Sequence, residues 1–298
     1  MATSVDVGVC TFRRPSLAET LASLAGQDLP AGCTLRVIVA DNDREPSAEP
    51  LVRAAAAEHG LDVLYVHAPE HNISIARNAC LGAATATWFA FIDDDETASP
   101  GWIAALLAEA ERGGWDAVLG PVKALYPDDA PGWQAAGDFH STWPVKVGGR
   151  ILKGYACNVI MRREAAVTRG LTFDLALGRQ GGEDDAFFYA LTDAGGTIGF
   201  AEAALVHEPV SPARTRLPWL IKRSFRSGQS HGARLSQRHH GPGRIAQIGL
   251  AAAKSGACLA GAAASALSPR RRNRWLLRGT LHAGAAARLA GVRELQLY

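Results

Sequence analysis

Five apolar residues running straight into four carboxylates constrain this chain more than any other stretch: Trp88-Phe89-Ala90-Phe91-Ile92, then Asp93-Asp94-Asp95-Glu96. A short run rich in aromatic residues reads as a strand buried on both faces, so its carboxyl end opens at the rim of a parallel sheet. Ligands of α/β proteins bind at that rim. Four adjacent acids repel one another unless water or a cation screens them, and hard oxygen donors at close spacing suit Mg²⁺ or Mn²⁺. Taken alone, the same residues also fit a solvated acidic turn ahead of the helix announced by Ser99 and Pro100.

The 298 residues suffice for one large domain and an appendage. The five cysteines, Cys10, Cys33, Cys80, Cys157 and Cys258, show no paired spacing, which points to a reducing compartment and away from a disulfide frame or zinc site. No charged n-region precedes the Val5–Cys10 alternation, so no signal peptide is expected. The net charge of +2 hides a division. Residues 1–209 hold 15 Lys or Arg against 28 Asp or Glu, a net −13, whereas residues 210–298 hold 16 basic residues against Glu294 alone, a net +15. An acidic body with a basic tail predicts an anionic surface as partner for the tail.

Val5, Val7 and Val9 mark a first strand ending near Thr11. Ser16 and Glu19 fit a capping box for a helix with Leu17, Leu21 and Leu24 inside. Strands at Leu35–Ala40 and Val63–Val66 alternate with helices through Leu51 and over Ile75–Ala83 before the Trp88 strand. The alternation predicts an α/β fold with a mostly parallel sheet, and the carboxyl ends of its strands bring Thr11, Asp41 and Asp93–Asp95 together. Neither GxGxxG nor GxxxxGK[ST] follows the first strand, which argues against dinucleotide and P-loop chemistry.

Lys123–Arg150 is rich in turn formers and reads either as a loop able to close over a substrate or as a structural connection; a strand follows at Tyr155–Met161. Gly181-Gly182-Glu183-Asp184-Asp185 opens a helix anchored by Phe187, Phe188 and Leu191, with Asp185 suited to plain dipole compensation. Ile198–Val206 reads as one strand ending in His207-Glu208-Pro209.

Together, Thr11-Phe12-Arg13-Arg14-Pro15, Val39-Ala40-Asp41-Asn42, Asn72-Ile73-Ser74-Ile75-Ala76-Arg77-Asn78, Phe91-Ile92-Asp93-Asp94-Asp95, Gly182-Glu183-Asp184 and His207 resemble, in order and approximate spacing, a family 2 glycosyltransferase of the GT-A fold. The resemblance covers about residues 4–235 and is greatest to the bacterial exopolysaccharide, succinoglycan-type branch. It implies a catalytic domain over 1–209, with a nucleotide-binding half about 1–122 and an acceptor-binding half about 123–209, and a basic helical tail over 210–298. It further implies an inverting transfer of one sugar from a nucleotide sugar, UDP-sugar favoured, to a saccharide or lipid-linked acceptor. Thr11, Arg13, Asp41, Arg77, Asp93 and Asp94 would serve the donor, Asp95 and His207 the Mg²⁺ or Mn²⁺, Asp184 would be the general base, and Glu183 would position a sugar.

Two departures qualify the resemblance. Arg223-Ser224-Phe225-Arg226 lacks the Gln and Trp of the processive synthases, so one sugar per encounter is expected, and Ala40-Asp41-Asn42-Asp43 lacks the usual acid pair before Gly-Ser. The Ala- and Gly-rich segment 245–268 with Lys254, followed by Arg270-Arg271-Arg272-Asn273-Arg274, reads as an interfacial helix beside lipid phosphates, with a second helix over Trp275–Leu289. A soluble hairpin is the alternative. The expected place is the cytoplasm, peripheral at the inner face of the plasma membrane. Sparse aromatics in the tail argue against nucleic acid. Two rival readings stand beside the transferase: a haloacid-dehalogenase-type phosphatase with Asp93 as nucleophile, since Asp93-Asp94-Asp95-Glu96-Thr97 satisfies its signature, and a non-catalytic sugar-nucleotide-binding protein.

Overall fold

The valine alternation folds as expected in the computed structural model, which describes residues 3–163 and 170–295; the remaining positions of the two ranges 1–209 and 210–298 lie outside the described residues. Strand β1 (Thr3–Thr11) sits beside β2 (Cys33–Asp41) and β4 (Trp88–Asp93), both parallel to it, and β3 (Val63–His67) extends the sheet beyond β2. Helices α1 (Leu17–Ala25), α2 (Glu49–His59) and α3 (Ile73–Ala83) are the crossovers. The Trp88–Ile92 run is buried throughout, its side chains alternating between two cores, one with Val7 and Leu21 and the other with Phe173 and Phe187.

The chain continues through β5 (Thr97–Ala98), helix α4 (Trp102–Gly113), β6 (Ala117–Leu119), β7 (Val122–Leu125), α5 (Gly132–Gly137), β8 (Lys146–Val147), β9 (Arg150–Ile151) and β10 (Asn158–Arg162). It then forms α6 (Glu183–Asp193), β11 (Ile198–Phe200) and β12 (Val206–Pro209). The main sheet runs β11-β6-β10-β4-β1-β2-β3, parallel except for β10, which is antiparallel to both neighbours. Strand β12 lies in a second sheet, between β5 and β7.

Three local expectations are corrected. Ser16 carries α-helical angles and makes no side-chain cap, so the Ser16/Glu19 box does not form. Ile198–Val206 is two strands in two sheets. The buried amide of Asn158 donates to Pro121 O and Ala204 O, fixing the places where β6 gives way to β7 and β11 to β12. Nor is Lys123–Arg150 one irregular loop: residues 126–140 form a compact unit with 210–298, while 141–209 belong with 1–125. Inside that second unit Gln134 donates to Thr215 O at 2.5 Å, and a ring nitrogen of His140 lies 3.0 Å from Arg214 O.

The second unit is built on three long helices: α7 (Leu217–Arg238), α8 (Gly241–Ala264) and α9 (Pro269–Leu289). Small residues bring α9 close to both others. A Cβ on Gly228 would strike Leu281 O at 1.9 Å, and one on Gly279 would meet Cys258 Cβ at 3.2 Å. Arg226, placed by the resemblance at the processivity motif, is buried and bonds Glu294 and Ser230.

Candidate active site

Parallel pairing sets Cys10 beside Asp93 and Thr11 beside Asp41, so the ends of β1, β2 and β4 form one rim. Thr11 donates its hydroxyl to Asp94 Oδ2 at 2.7 Å. Arg14, half-exposed, reaches Asp95 Oδ2 at 3.0 Å and Asp94 at 4.0 Å. The turn between them is strained: Arg13 has φ 55°, and its guanidinium pairs in bidentate fashion with Asp43. Asp41 lies deeper than the sequence suggests. It is fully buried, and its oxygens accept from the amides of Asp43 and Ala48 and from the Tyr65 hydroxyl, so it shapes the loop from below instead of facing solvent.

Helix α3 carries the Asn72–Asn78 motif, whose polar residues grip the segment leading into α6. Asn72 caps α3 through Ser74 N and donates to Leu175 O; Ser74 donates to Asp174 O; Asn78 exchanges two bonds with the Phe173 backbone. From the same helix Arg77, almost wholly buried, pairs with Glu183 and lies 3.8 Å from Asp93. Burial alone would lower the Arg77 pKa, but Glu183, Asp93 and Asp184 outweigh it and drive it up. Burial raises the Glu183 carboxyl while Arg77 opposes that rise, and among the described residues Glu183 Oε2 has no hydrogen-bond partner. Glycines 181 and 182, both at positive φ, turn the backbone into α6. Asp184 is partly exposed in that first turn and accepts from Asp185 N, while Asp185 pairs with Lys153 at 3.0 Å.

The acidic turn is not one solvated loop. Glu96, 1% exposed, folds under it and accepts from Asp93 N at 2.9 Å. Nothing in a run of four acids marks which one turns inward. Burial first, then the neighbouring carboxylates, pushes Glu96 well above the carboxylate range. Asp93 is raised to about 7, by enclosure and then by Asp95, Asp94 and Glu208 against the pull of Arg77. Its side chain is 44% exposed, so water screens part of that enclosure. Asp94 is raised to about 6, again chiefly by burial.

Ligand atoms of Asp93, Glu96 and Cys157 lie within 4.8 Å of one another. Burial pushes the Cys157 thiol up and Glu96 with it, and a metal binding there would have to displace those protons. Asp93, Asp94 and Asp95, crowded on one turn, offer the hard oxygen donors that a divalent cation takes. His207 stands on β12 in register with Thr97, two residues beyond Asp95, so the second sheet brings it beside the turn.

An α/β sheet with one reversed strand, carrying an acidic turn on its central strand and an acid-rich helix start at the same rim, defines the GT-A class of transferases. The chain belongs to glycosyl transferase family 2, whose sequence profile matches residues 6–169, and it is a glycosyltransferase. Over 294 residues it is 52% identical to the succinoglycan biosynthesis protein ExoM of Rhizobium meliloti (strain 1021), covering 99% of this chain and 95% of that one. In fold it is similar to S. aureus TarS 1–349 in complex with UDP, with TM-score 0.54 and 17% identity, covering 97% of this chain and 90% of that one. It spans 53% of a longer TarS chain, covering 95% of its own length at TM-score 0.56 and 19% identity. It is also similar to GalNAc-T7 with UDP, GalNAc and Mn²⁺, with TM-score 0.56 and 14% identity over 70% of this chain and 44% of that one. The phosphatase and non-catalytic readings yield to this assignment: Asp93 ends the fourth strand of a transferase fold, not the first strand of a phosphatase domain.

Proposed function

We propose that the protein transfers one sugar from a UDP-sugar to a hydroxyl of a lipid-linked saccharide, with inversion, at the cytoplasmic face of the membrane during exopolysaccharide assembly. The observation that carries this reading is Arg77, which contacts Glu183 at the start of α6 and Asp93 at the end of β4, tying the two acidic motifs into one site. The donor reading draws on the UDP-bound relatives of the same fold, and the process on the succinoglycan relative.

In this reading Asp184 takes the proton of the acceptor hydroxyl as that oxygen attacks the anomeric carbon from the face opposite the diphosphate. Single displacement inverts the centre and needs no enzyme nucleophile. Glu183, charge-paired with Arg77, positions the sugar instead of acting as base. Thr11, Arg13 and Asp94 line the donor side, and Asp41 supports them from below. Asp95 and His207 would hold a Mg²⁺ or Mn²⁺, which neutralises charge on the departing nucleoside diphosphate.

The experiment is nucleotide release from a panel of sugar nucleotides with Mn²⁺ or Mg²⁺, comparing the intact protein with Asp95→Ala and Asp184→Asn. Turnover of a UDP-sugar that needs metal, is lost in both variants, and leaves UDP binding intact in Asp184→Asn supports the reading. Full activity in EDTA, or in Asp184→Asn, overturns it.

A further inference from the structure

Helix α8 is unusual for a helix beside water. Over 24 residues, about 36 Å, only the stripe Ala251, Cys258 and Ala262 is buried. Ser255, on that stripe, donates to Gly279 O at 2.9 Å, fixing α8 on α9. Arg244, Gln247 and Ile248 are half-buried, and most of the remaining surface is exposed and made of Ala and Gly with Ile245 at 70%, Leu250 at 49% and Leu259 at 50%; Arg244 and Lys254 are its only charged residues. Such a surface calls for an apolar environment on its outer side. In length and composition α8 is also long and apolar enough to cross a membrane.

The turn after α8 extends the same surface. Leu267 is 100% exposed, and Arg270, Arg271 and Arg274 follow, all exposed, with Trp275 at 40%. A bare leucine at a hairpin tip, an aromatic eight residues on, and arginines between them match the layering of an anionic bilayer surface: acyl boundary, interface, phosphate. The charge of the 210–298 segment, 16 basic residues against one acid, complements only an anionic partner. A transmembrane course is opposed by Lys254, exposed at mid-helix, and by the bonded stripe that keeps α8 lying along α9.

We propose that the α8–α9 hairpin is a bilayer-docking surface: α8 lies in the plane of the membrane with the exposed small-residue face of Ala246, Ala253, Ala257 and Ala260 towards the acyl chains and Ile245 and Leu250 on its two flanks, Leu267 wedged at the tip, and Arg270 and Arg271 on lipid phosphates. This deepens the reading of a lipid-linked acceptor and rests on it for its purpose, though the binding itself does not depend on catalysis.

The test is flotation of the full chain with phosphatidylcholine vesicles with and without phosphatidylglycerol. Binding should require phosphatidylglycerol and fade at 0.5 M salt. Arg270→Glu with Arg271→Glu should weaken partitioning by about twenty-five-fold or more, at roughly fivefold for each charge removed, and Leu267→Asp should weaken it by about tenfold. Leu267 is bare and the arginines are exposed, so an unchanged circular dichroism spectrum and unchanged nucleotide release without lipid would show that folding and catalysis are spared. Equal binding to neutral vesicles, no vesicle binding, or a stable dimer in free solution that Leu250→Arg dissociates would overturn the proposal. Loss of transferase activity with vesicle binding intact would instead fault the catalytic reading.

Discussion

Arg77 and Glu183 meet as a buried ion pair although 106 residues separate them, and the same guanidinium lies 3.8 Å from Asp93. Removing one partner leaves the other charged in a desolvated place, which costs about 3–5 kcal/mol. Arg77→Met should therefore lower unfolding stability by that amount in urea, and adding Glu183→Gln should restore most of it without restoring transfer. A loss below about 1 kcal/mol in the single variant would show that the pair is screened.

Asp93 and Asp94, raised to about 7 and about 6, hold protons in the folded chain that the unfolded chain has already released above about 4. The sign follows: between pH 4 and those values the folded state binds more protons, so the acidic turn lowers stability as pH rises through the window. A divalent cation with UDP should expel those protons. Calorimetry at pH 6.5 in buffers of differing ionisation enthalpy should report proton release, and the rise in Tm with Mn²⁺ and UDP should be larger at pH 8 than at pH 5.5. Binding heats that do not vary with buffer would exclude this coupling.

How much of this was legible beforehand depended on whether the signal was local. Valine alternation and the Trp88 run fixed the strands because burial is written in side-chain pattern, and the crossover rule then placed Thr11 and Asp93 at one rim. Strand direction is not written there, so nothing in Asn158–Arg162 announced that β10 runs antiparallel. The break at Ala201–Leu205 was hidden because an apolar run reports burial and not sheet membership; the deciding contact is an Asn158 amide more than forty residues away. Glu96 was equally hidden, since four acids look alike until the backbone turns one beneath the others. The capping role of Asn72 and the grip of Asn78 on Phe173 likewise depend on a partner that sequence spacing does not supply.

Asp6 offers a test of acid sensitivity away from the site, at the amino-terminal rim of the sheet. It is 2% exposed and accepts from Arg36 Nε at 2.8 Å and from the amides of Thr85 and Ala86. Burial pushes its carboxyl up, but Arg36 and the two amides outweigh burial and hold it below the ordinary value. A depressed folded pKa means its stabilisation is present above about 4 and is lost as pH falls. Asp6→Asn should cost about 1–3 kcal/mol at pH 7 and flatten the stability profile below pH 4, while turnover per folded molecule stays unchanged. A fall in turnover at full folding would mean the amino-terminal rim influences the site.

Asp184 and Glu183 are neighbours with opposite surroundings, and substitution should separate them. Asp184 is partly exposed at the start of α6 and accepts from the next amide. Glu183 is 6% exposed and paired with Arg77. Asp184→Asn keeps the shape and that hydrogen bond but removes the base, so kcat should fall by about 10²–10⁴, with Tm shifted by no more than a degree or two and UDP affinity unchanged. Glu183→Gln should lower Tm as well as rate, because it strips Arg77 of a buried counter-charge. Should Glu183→Gln retain its Tm and abolish the pH dependence of kcat while Asp184→Asn stays active, the base is Glu183, and the Arg77 pair must then open during each catalytic cycle.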